Sequence, residues 1–511
     1  MKFTSGILFL GLGSIAFTVA IAAGPGKPGH GNKKAPTFAA DVAPILYDKC
    51  AGCHHAGEVA PFSLTSYAEA KQMAPTIAAA VGRKYMPPWQ AVSHGEFMDE
   101  RTLTPGQIET LQAWAKAGAP AGNLKKAPPA PKFTPGWLMG TPDFVGSPSK
   151  SYEITSDGID DYRCFVIPTN FPEARYITGV EVRPGNRRVV HHVLIYVDTS
   201  GAAKKREGRD GKPGYESFGG PGFPPAGSLG GWAPGLQPQM LGDTEGFYLP
   251  KGADIVLQVH YHKDGKPETD LTKIGLKFAK GPVDKAVRWE SVGEEVFTIP
   301  PGQSAYSVTA SMKLKNPITV LDVIPHMHLL GHDMTVTATL PDGTKKQLIQ
   351  VENYDFNWQT RYTYREPLHL PAGTVLDLVA HYDNSTNNPH NPNNPPKPVS
   401  FGEQTTDEMC YAFFSYTYDA EHIAKGETVK DGGFATSERA IDHIFDKFDA
   451  DHDGFLDTSE LATAIKFFQG SKPGGQNPEQ TAKLVVAMYG KSHKGKLTRD
   501  EFKQVAKAAS G

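Results

Sequence analysis

The sequence predicts a multidomain protein: a small all-α unit first, a long antiparallel β region next, and an α-helical pair at the C-terminus. Three observations predict it. The chain has 511 residues, too many for one ordinary domain. Its 53 Gly, 42 Pro and 10% aromatics favour turn-rich β structure over bundles of helices. The apolar spacing also changes along the chain, from a helical period to strand alternation near residue 142 and back near 436. At 39% hydrophobic and 21% charged residues, the chain can bury cores and is not disordered. Its net charge of −3 excludes the basic excess of a nucleic-acid binder. Four Cys exclude a disulfide scaffold, and against them stand 18 His.

Residues 1–22 read as a signal peptide. Lys2 precedes an apolar run from Ile7 to Ala23, and Ala20-Ile21-Ala22 is a small-x-small cleavage site. No later segment is long and apolar enough for a span. The expected mature protein is therefore periplasmic or secreted, with no membrane span. Residues 24–35 read as a flexible linker.

Residues 36–122 read as the first folded unit. A helix over 38–49 places Phe38, Val42, Ile45 and Leu46 on one face and runs into Cys50-Ala51-Gly52-Cys53-His54. C-x-x-C-H is the attachment motif of c-type haem. Two thiols on one turn meet the two vinyl groups, and the adjacent imidazole meets the iron. Met86, held by Pro87-Pro88-Trp89, is the expected sixth ligand, with Met98 and His94 as competitors. A His54/Met86 pair raises the reduction potential. Thr104-Pro105 caps a helix bearing Ile108, Leu111, Trp114 and Ala115 on one face. The unit thus resembles a small cytochrome c. His55 is expected to face solvent. Residues 123–141 form a Pro-rich linker.

From about 142 to 418, short β-branched and aromatic runs alternate with Gly, Pro, Asn and Asp turns. Expected strands include 163–168, 175–182, 189–197, 255–262, 273–278, 318–328, 374–382 and 411–418. The length suits two antiparallel sandwiches, over 142–290 and 291–430. The histidines lie on these strands: His191-His192, His260 with His262, and His326 with His328. Alternation puts His326 and His328 on one face, able to chelate one ion. Imidazole clusters suit Cu, Zn, Fe or Ni. His191 and His192 are adjacent, so they serve one ion only if the strand twists or bulges there.

These residues carry a family resemblance. Val190-His191-His192-Val193-Leu194-Ile195-Tyr196 resembles the paired-His strand of the copper type II, ascorbate-dependent monooxygenases. Gly231-Trp232-Ala233-Pro234-Gly235, Leu257-Gln258-Val259-His260-Tyr261, His326-Met327-His328-Leu329-Leu330-Gly331 and Thr406-Asp407-Glu408-Met409-Cys410 resemble later signatures in the same order. The resemblance implies two β-sandwich domains with one copper ion each, facing across a solvent-filled cleft. His191, His192 and His260 would bind the electron-relay copper. His326, His328 and Met409 would bind the O2-activating copper and form the catalytic site. His262 would be an outer neighbour, and His332, Met334 and His381 would be packing or hydrogen-bonding residues. In the peptidylglycine-hydroxylating members a basic residue two positions before H-x-H holds the substrate carboxylate; here it is Ile324. Tyr411, Phe413 and Ser415 replace polar helpers. An uncharged or aromatic small-molecule substrate is expected. Cys164 and Cys410 either pair or remain two buried thiols.

The C-terminal region, 436–511, reads as an EF-hand module. Asp449, Asp451, Asp453, the Phe455 carbonyl, Asp457 and bidentate Glu460 occupy the calcium positions, with Gly454 at the turn. A mate loop over 490–501 keeps Gly495, Leu497 and Glu501 but carries Lys494 and Lys496 where ligands belong. It is expected to fold without binding. The whole chain reads as a copper monooxygenase whose fused haem, reduced by an external electron donor, delivers electrons to the first copper. The rival reading is a haem–copper electron-transfer or copper-binding protein without oxygenase activity.

Overall fold

The computed structural model describes residues 34–509 apart from 59, 134–135, 218–219, 430–433, 437, 470–476 and 494. The expected signal peptide and Lys494 lie outside the described residues. Among the described residues no helix is long and apolar enough to cross a membrane.

The N-terminal unit is helical. A π-helical turn, Phe38–Val42, continues into Ala43–Lys49, followed by Tyr67–Gln72, Ala74–Gly82 and Pro105–Lys116. Thr104 and Gln107 close a capping box at the last of these, with Pro105 at its first position, where its missing N–H costs nothing. Phe38, Val42, Leu46, Leu111 and Trp114 form one buried cluster. The Trp114 indole N–H donates to Pro120 O at 3.1 Å, which ties down the exit of the helix.

Two features of this unit differ from expectation. His55 is buried: its Nδ1 bonds Ala51 O at 2.8 Å and its ring stacks on Phe133 of the linker, 3.6 Å between centroids. The segment after residue 88 also leaves the helical unit. Val92 N donates to Gln350 O and Met98 N to Thr363 O, both at 2.8 Å, while Phe97 is sealed in the core of the second sandwich with Trp89 packed against it. A small helical unit has little core to cover two large rings. The neighbouring sandwich offers apolar surface together with unpaired edge groups.

The β region holds two sandwiches that share a sheet. A nine-stranded sheet runs through both, and Lys285–Gly293 joins the halves. Residues 285–287 pair parallel with 245–247 of the first sandwich, and 288–293 pair antiparallel with 411–416 of the second. Each half is faced by its own five-stranded sheet. The first contains Asp161–Pro168, Asp254–Tyr261 and Val190–Asp198; the second contains Gly331–Thr339, Val375–Tyr382 and Tyr306–Leu314. The short strand Phe434–Thr436 pairs with the edge of the second sandwich just before the C-terminal helices begin. Cys164 and Cys410 are free, buried thiols, both pushed up to about 12 by burial, so the open choice between a disulfide and two thiols resolves to thiols.

Candidate metal centres

Alternation positions the first cluster. On Asp254–Tyr261, Ile255, Leu257, Val259 and Tyr261 fill the sandwich core, which turns His260 to the opposite face. On the neighbouring strand Val193, Ile195 and Val197 fill the same core, so His192 faces outward beside His260. A regular strand would send His191 inward. The register shifts here, with His260 opposite His192 and Tyr261 opposite Val190, so His191 is the extra residue of a bulge. That bulge brings all three imidazoles together. His192 Nδ1 lies 3.2 Å from His191 Nδ1 and 3.3 Å from His260 Nδ1. Burial, then the neighbouring imidazoles, lowers His191 and His192 well below the usual range, and burial lowers His260. Neutral rings with converging ring nitrogens form a cradle suited to a cation.

Asp160 sets the tautomer of this cluster. It accepts from His260 Nε2 at 2.9 Å, which leaves Nδ1 of that ring unprotonated and aimed at the cradle. It also accepts from His262 Nδ1 at 3.1 Å and from Thr405 Oγ1 at 2.7 Å. Burial works to raise this carboxyl, but the bonds from His260, His262 and Thr405 outweigh it and hold the group well below its usual range. His262 is half-exposed and stays an outer neighbour.

The second cluster lies at the end of Ile318–His326. The His326 and His328 rings are 5.3 Å apart, as the same-face rule requires. His326 Nδ1 donates to Gln359 Oε1 at 2.8 Å, and His328 Nδ1 donates to Asp407 O at 3.1 Å. Both rings therefore present Nε2, and His326 Nε2 is 3.2 Å from Met409 Sδ. Burial lowers His326 to about 4 and His328 well below the usual range. Glu408 is fully buried and accepts from the backbone N–H of His328 and Leu330, at 2.8 and 2.6 Å, which pins the turn after the strand. A Cβ on Gly331 would stand 2.6 Å from Met327 Cβ, so the turn closes only with glycine.

The resemblance implies two centres separated by an open cleft. The structure brings the His192 and His326 rings to 6.4 Å, and Phe356 packs on both His191 and His328. The shared sheet and the Asp160–Thr405 bond draw the two sandwiches together. Beside the two rings opens a pocket of ≈ 660 Å³, solvent mouth included, walled by Trp232, Trp289, Ile324, Phe413 and Met409. Trp289 and Phe413 stack at 4.7 Å. The position of the missing basic residue, Ile324, is thus an apolar wall.

In the helical unit Cys50 and Cys53 are unpaired, and His54 Nδ1 bonds Phe62 O at 3.2 Å, leaving Nε2 available. Two thiols and a neutral imidazole on one turn fit a covalently attached haem. Cys53 faces a wide cleft of ≈ 2440 Å³, solvent mouth included, between the helical unit and the sandwiches. Met98 lines that cleft, whereas Met86 does not.

At the C-terminus Asp449, Asp451 and Asp453 gather their carboxylates within 4.8 Å of one another. Glu460 accepts from Ala450 N at 2.8 Å and from Asp457 N at 2.9 Å, folding position 12 over the loop. Phe455–Asp457 pairs with Lys496–Thr498 of the mate loop. Lys496 reaches across to Asp453, where its ammonium occupies a carboxylate that calcium needs. Lys496→Ala is expected to tighten calcium binding several-fold in titration calorimetry; an unchanged affinity would refute the competition.

Residues 291–430 match the family model of the copper type II ascorbate-dependent monooxygenase, C-terminal domain. That stretch coincides with the second sandwich and carries His326, His328 and Met409. Residues 438–507 match an EF-hand domain pair, the calcium module. No curated protein matches the chain. Among solved structures it is similar to PNGF-II at 10% identity and a TM-score of 0.25, covering 55% of this chain and 66% of that chain, just under two thirds of its length. It is also similar to the major capsid protein P2 from Bacteriophage PM2 at 8% identity and a TM-score of 0.21, covering 53% of this chain and 97% of that one. Neither likeness bears on the fold or the function.

Several residues around the two histidine clusters escape a reading of sequence alone. Asp160, Gln359, Phe356 and Glu408 come from loops or strand ends, and none sits at a recurring spacing from the histidines it serves. Only Asp407-Glu408, beside Met409 in sequence, carries a local signal.

Proposed function

We propose that this protein is a copper-dependent monooxygenase that hydroxylates a C–H bond of an uncharged or aromatic small molecule with O2. His191, His192 and His260 hold one copper as electron relay, and His326, His328 and Met409 hold the other. The observation that carries the reading is two different donor sets, all-imidazole and imidazole–thioether, beside one aromatic pocket. A thioether favours Cu(I), the state that meets O2. Bound copper supplies the redox change and O2 activation, and a haem held by Cys50, Cys53 and His54 supplies electrons singly from an external donor. Met86, from the sequence pattern, and Met98, from its place on the cleft wall, compete for the sixth position. The leader-like residues 1–22 support a periplasmic or secreted enzyme.

The chain's own residues do the rest. Gln359 and Asp407 fix the ring tautomers, Asp160 fixes His260, and Trp232, Trp289 and Phe413 exclude water and select a flat or apolar substrate. The decisive experiment is turnover of the copper-loaded, full-length protein with isotopically labelled O2 against uncharged aromatic and carboxylated compounds. Label in an uncharged product supports the reading, and turnover confined to carboxylates overturns it. Ile324→Arg places a charge in the apolar wall and is expected to raise KM for an uncharged substrate by about 10-fold or more. Steady-state kinetics checks this, and an unchanged KM removes Ile324 from the pocket.

A further inference from the structure

The cleft beside Cys53 holds an unusual concentration of unsatisfied polar atoms. Among the described residues, the buried atoms without a hydrogen-bond partner include Arg101 Nη1, Gln239 Oε1 and Arg361 Nε, and all three residues line this cleft. Buried polar atoms in native folds are almost always satisfied, so a cluster of exceptions on one wall points to a missing partner. Two of the three belong to cations. The Arg361 side chain is only 8% exposed. Its Nη2 donates to Gly231 O at 3.2 Å, but its nearest carboxylate, Asp322, stands 4.0 Å away. Asp322 is already engaged by Gln239 Nε2 at 3.1 Å and by Ser415 N at 3.3 Å. A buried guanidinium with this little compensation is costly unless an anion meets it. Arg101 stands on the wall of the same cleft as Cys53. A ligand that carries two carboxylates and lies beside Cys53 would meet both guanidiniums.

We propose that Arg361 and Arg101 hold the two propionate carboxylates of the haem attached at Cys50 and Cys53, so that the copper domains supply part of its seat. The proposal rests on the haem reading above. Guanidinium groups are suited to carboxylates through their forked donors. The seat has a consequence for geometry. Gly231, which Arg361 grips, precedes Trp232, and Trp232 is paired in register with Val193, the residue after His192. Arg361 therefore stands between the cleft and the first triad of imidazoles. It is a positioning residue that fixes the prosthetic group relative to that triad. The anchoring of Trp89 and Phe97 in the second sandwich holds the same cleft together from the other side.

The test uses the full-length holoenzyme. Arg361→Leu and Arg101→Leu are expected to lower the haem midpoint potential, because each removes a positive charge that disfavours the ferric state. Arg361→Lys should recover part of the shift. Redox-difference infrared spectra read the propionate carboxylates directly, and their bands should move in both leucine variants. Should Arg361→Leu fail to fold, Arg101→Leu and Arg361→Lys carry the test. Covalent haem with unchanged potential and unchanged carboxylate bands in the folded variants overturns this proposal. A wild-type protein that takes up no covalent haem overturns the haem reading itself.

Discussion

Met409→Leu is expected to abolish hydroxylation, by more than about 100-fold, while leaving the metal at His191, His192 and His260 in place. Leucine nearly conserves the volume of methionine, so the pocket wall stays packed and only the thioether is lost. What remains at the second centre is two imidazoles. Their Nδ1 atoms stay bound to Gln359 and Asp407, so both Nε2 atoms keep their aim. The loss is thus confined to one donor, and its size exceeds what the removal of outer support alone costs, about 10- to 100-fold. His326→Ala should act in the same direction and more severely, since it removes an imidazole and leaves Gln359 Oε1 without its donor. Metal content checks both variants: one tightly held copper per chain is expected, against two for the unaltered protein. Full turnover by Met409→Leu would remove Met409 from the centre. Loss of both coppers would mean that the two clusters fold as one unit.

Much of this arrangement is legible in the sequence, for physical reasons that differ from element to element. A strand such as Val375–Tyr382 reads directly because a half-buried strand must alternate. His326 and His328 read as a chelating pair from the same two-residue period. The His191-His192 dipeptide contradicts that period, and the contradiction itself predicts the bulge that the register shift at His260/Tyr261 realises. The segment 89–98 misleads because its aromatic residues announce burial but not the core that receives them. Phe97 packs against Tyr362 and Tyr364, some 265 residues later in the chain, and no local pattern records that distance. His55 misleads for the opposite reason: a polar residue beside a helix end has solvent as its default, and here Phe133 covers it. Asp160 is invisible to pattern because it acts by accepting hydrogen bonds at a place that tertiary packing alone defines, whereas Glu408 is flagged only by standing next to Met409.

Asp160→Ala is the change in a residue outside both ligand sets with the largest expected effect. One carboxylate here serves three tasks. It holds the tautomer of His260, it holds His262, and it accepts from Thr405 of the opposite sandwich. Gln404 Oε1 accepts from the backbone N–H of the same residue at 3.2 Å, and Tyr162 OH donates to Glu403 O next door. Residues 403–405 lead within four positions to Met409, so this contact ties the segment bearing the thioether to the first cluster. A hydrogen bond to a charged group contributes about 1.5–3 kcal/mol. Removing three at once frees the His260 ring to exchange tautomers and to rotate. Metal affinity at the first cluster should fall by about 10- to 100-fold. The two sandwiches should also open, so that the His192–His326 approach is lost. Asp160→Asn separates these consequences: an amide still accepts from Thr405 but serves His260 as a poorer, uncharged acceptor. It should keep the domains closed and weaken only the first copper. Copper titration reads the affinity, and small-angle scattering of the two variants reads the closure. Equal affinity in Asp160→Ala and the unaltered protein would show that the bulge alone aims the three rings.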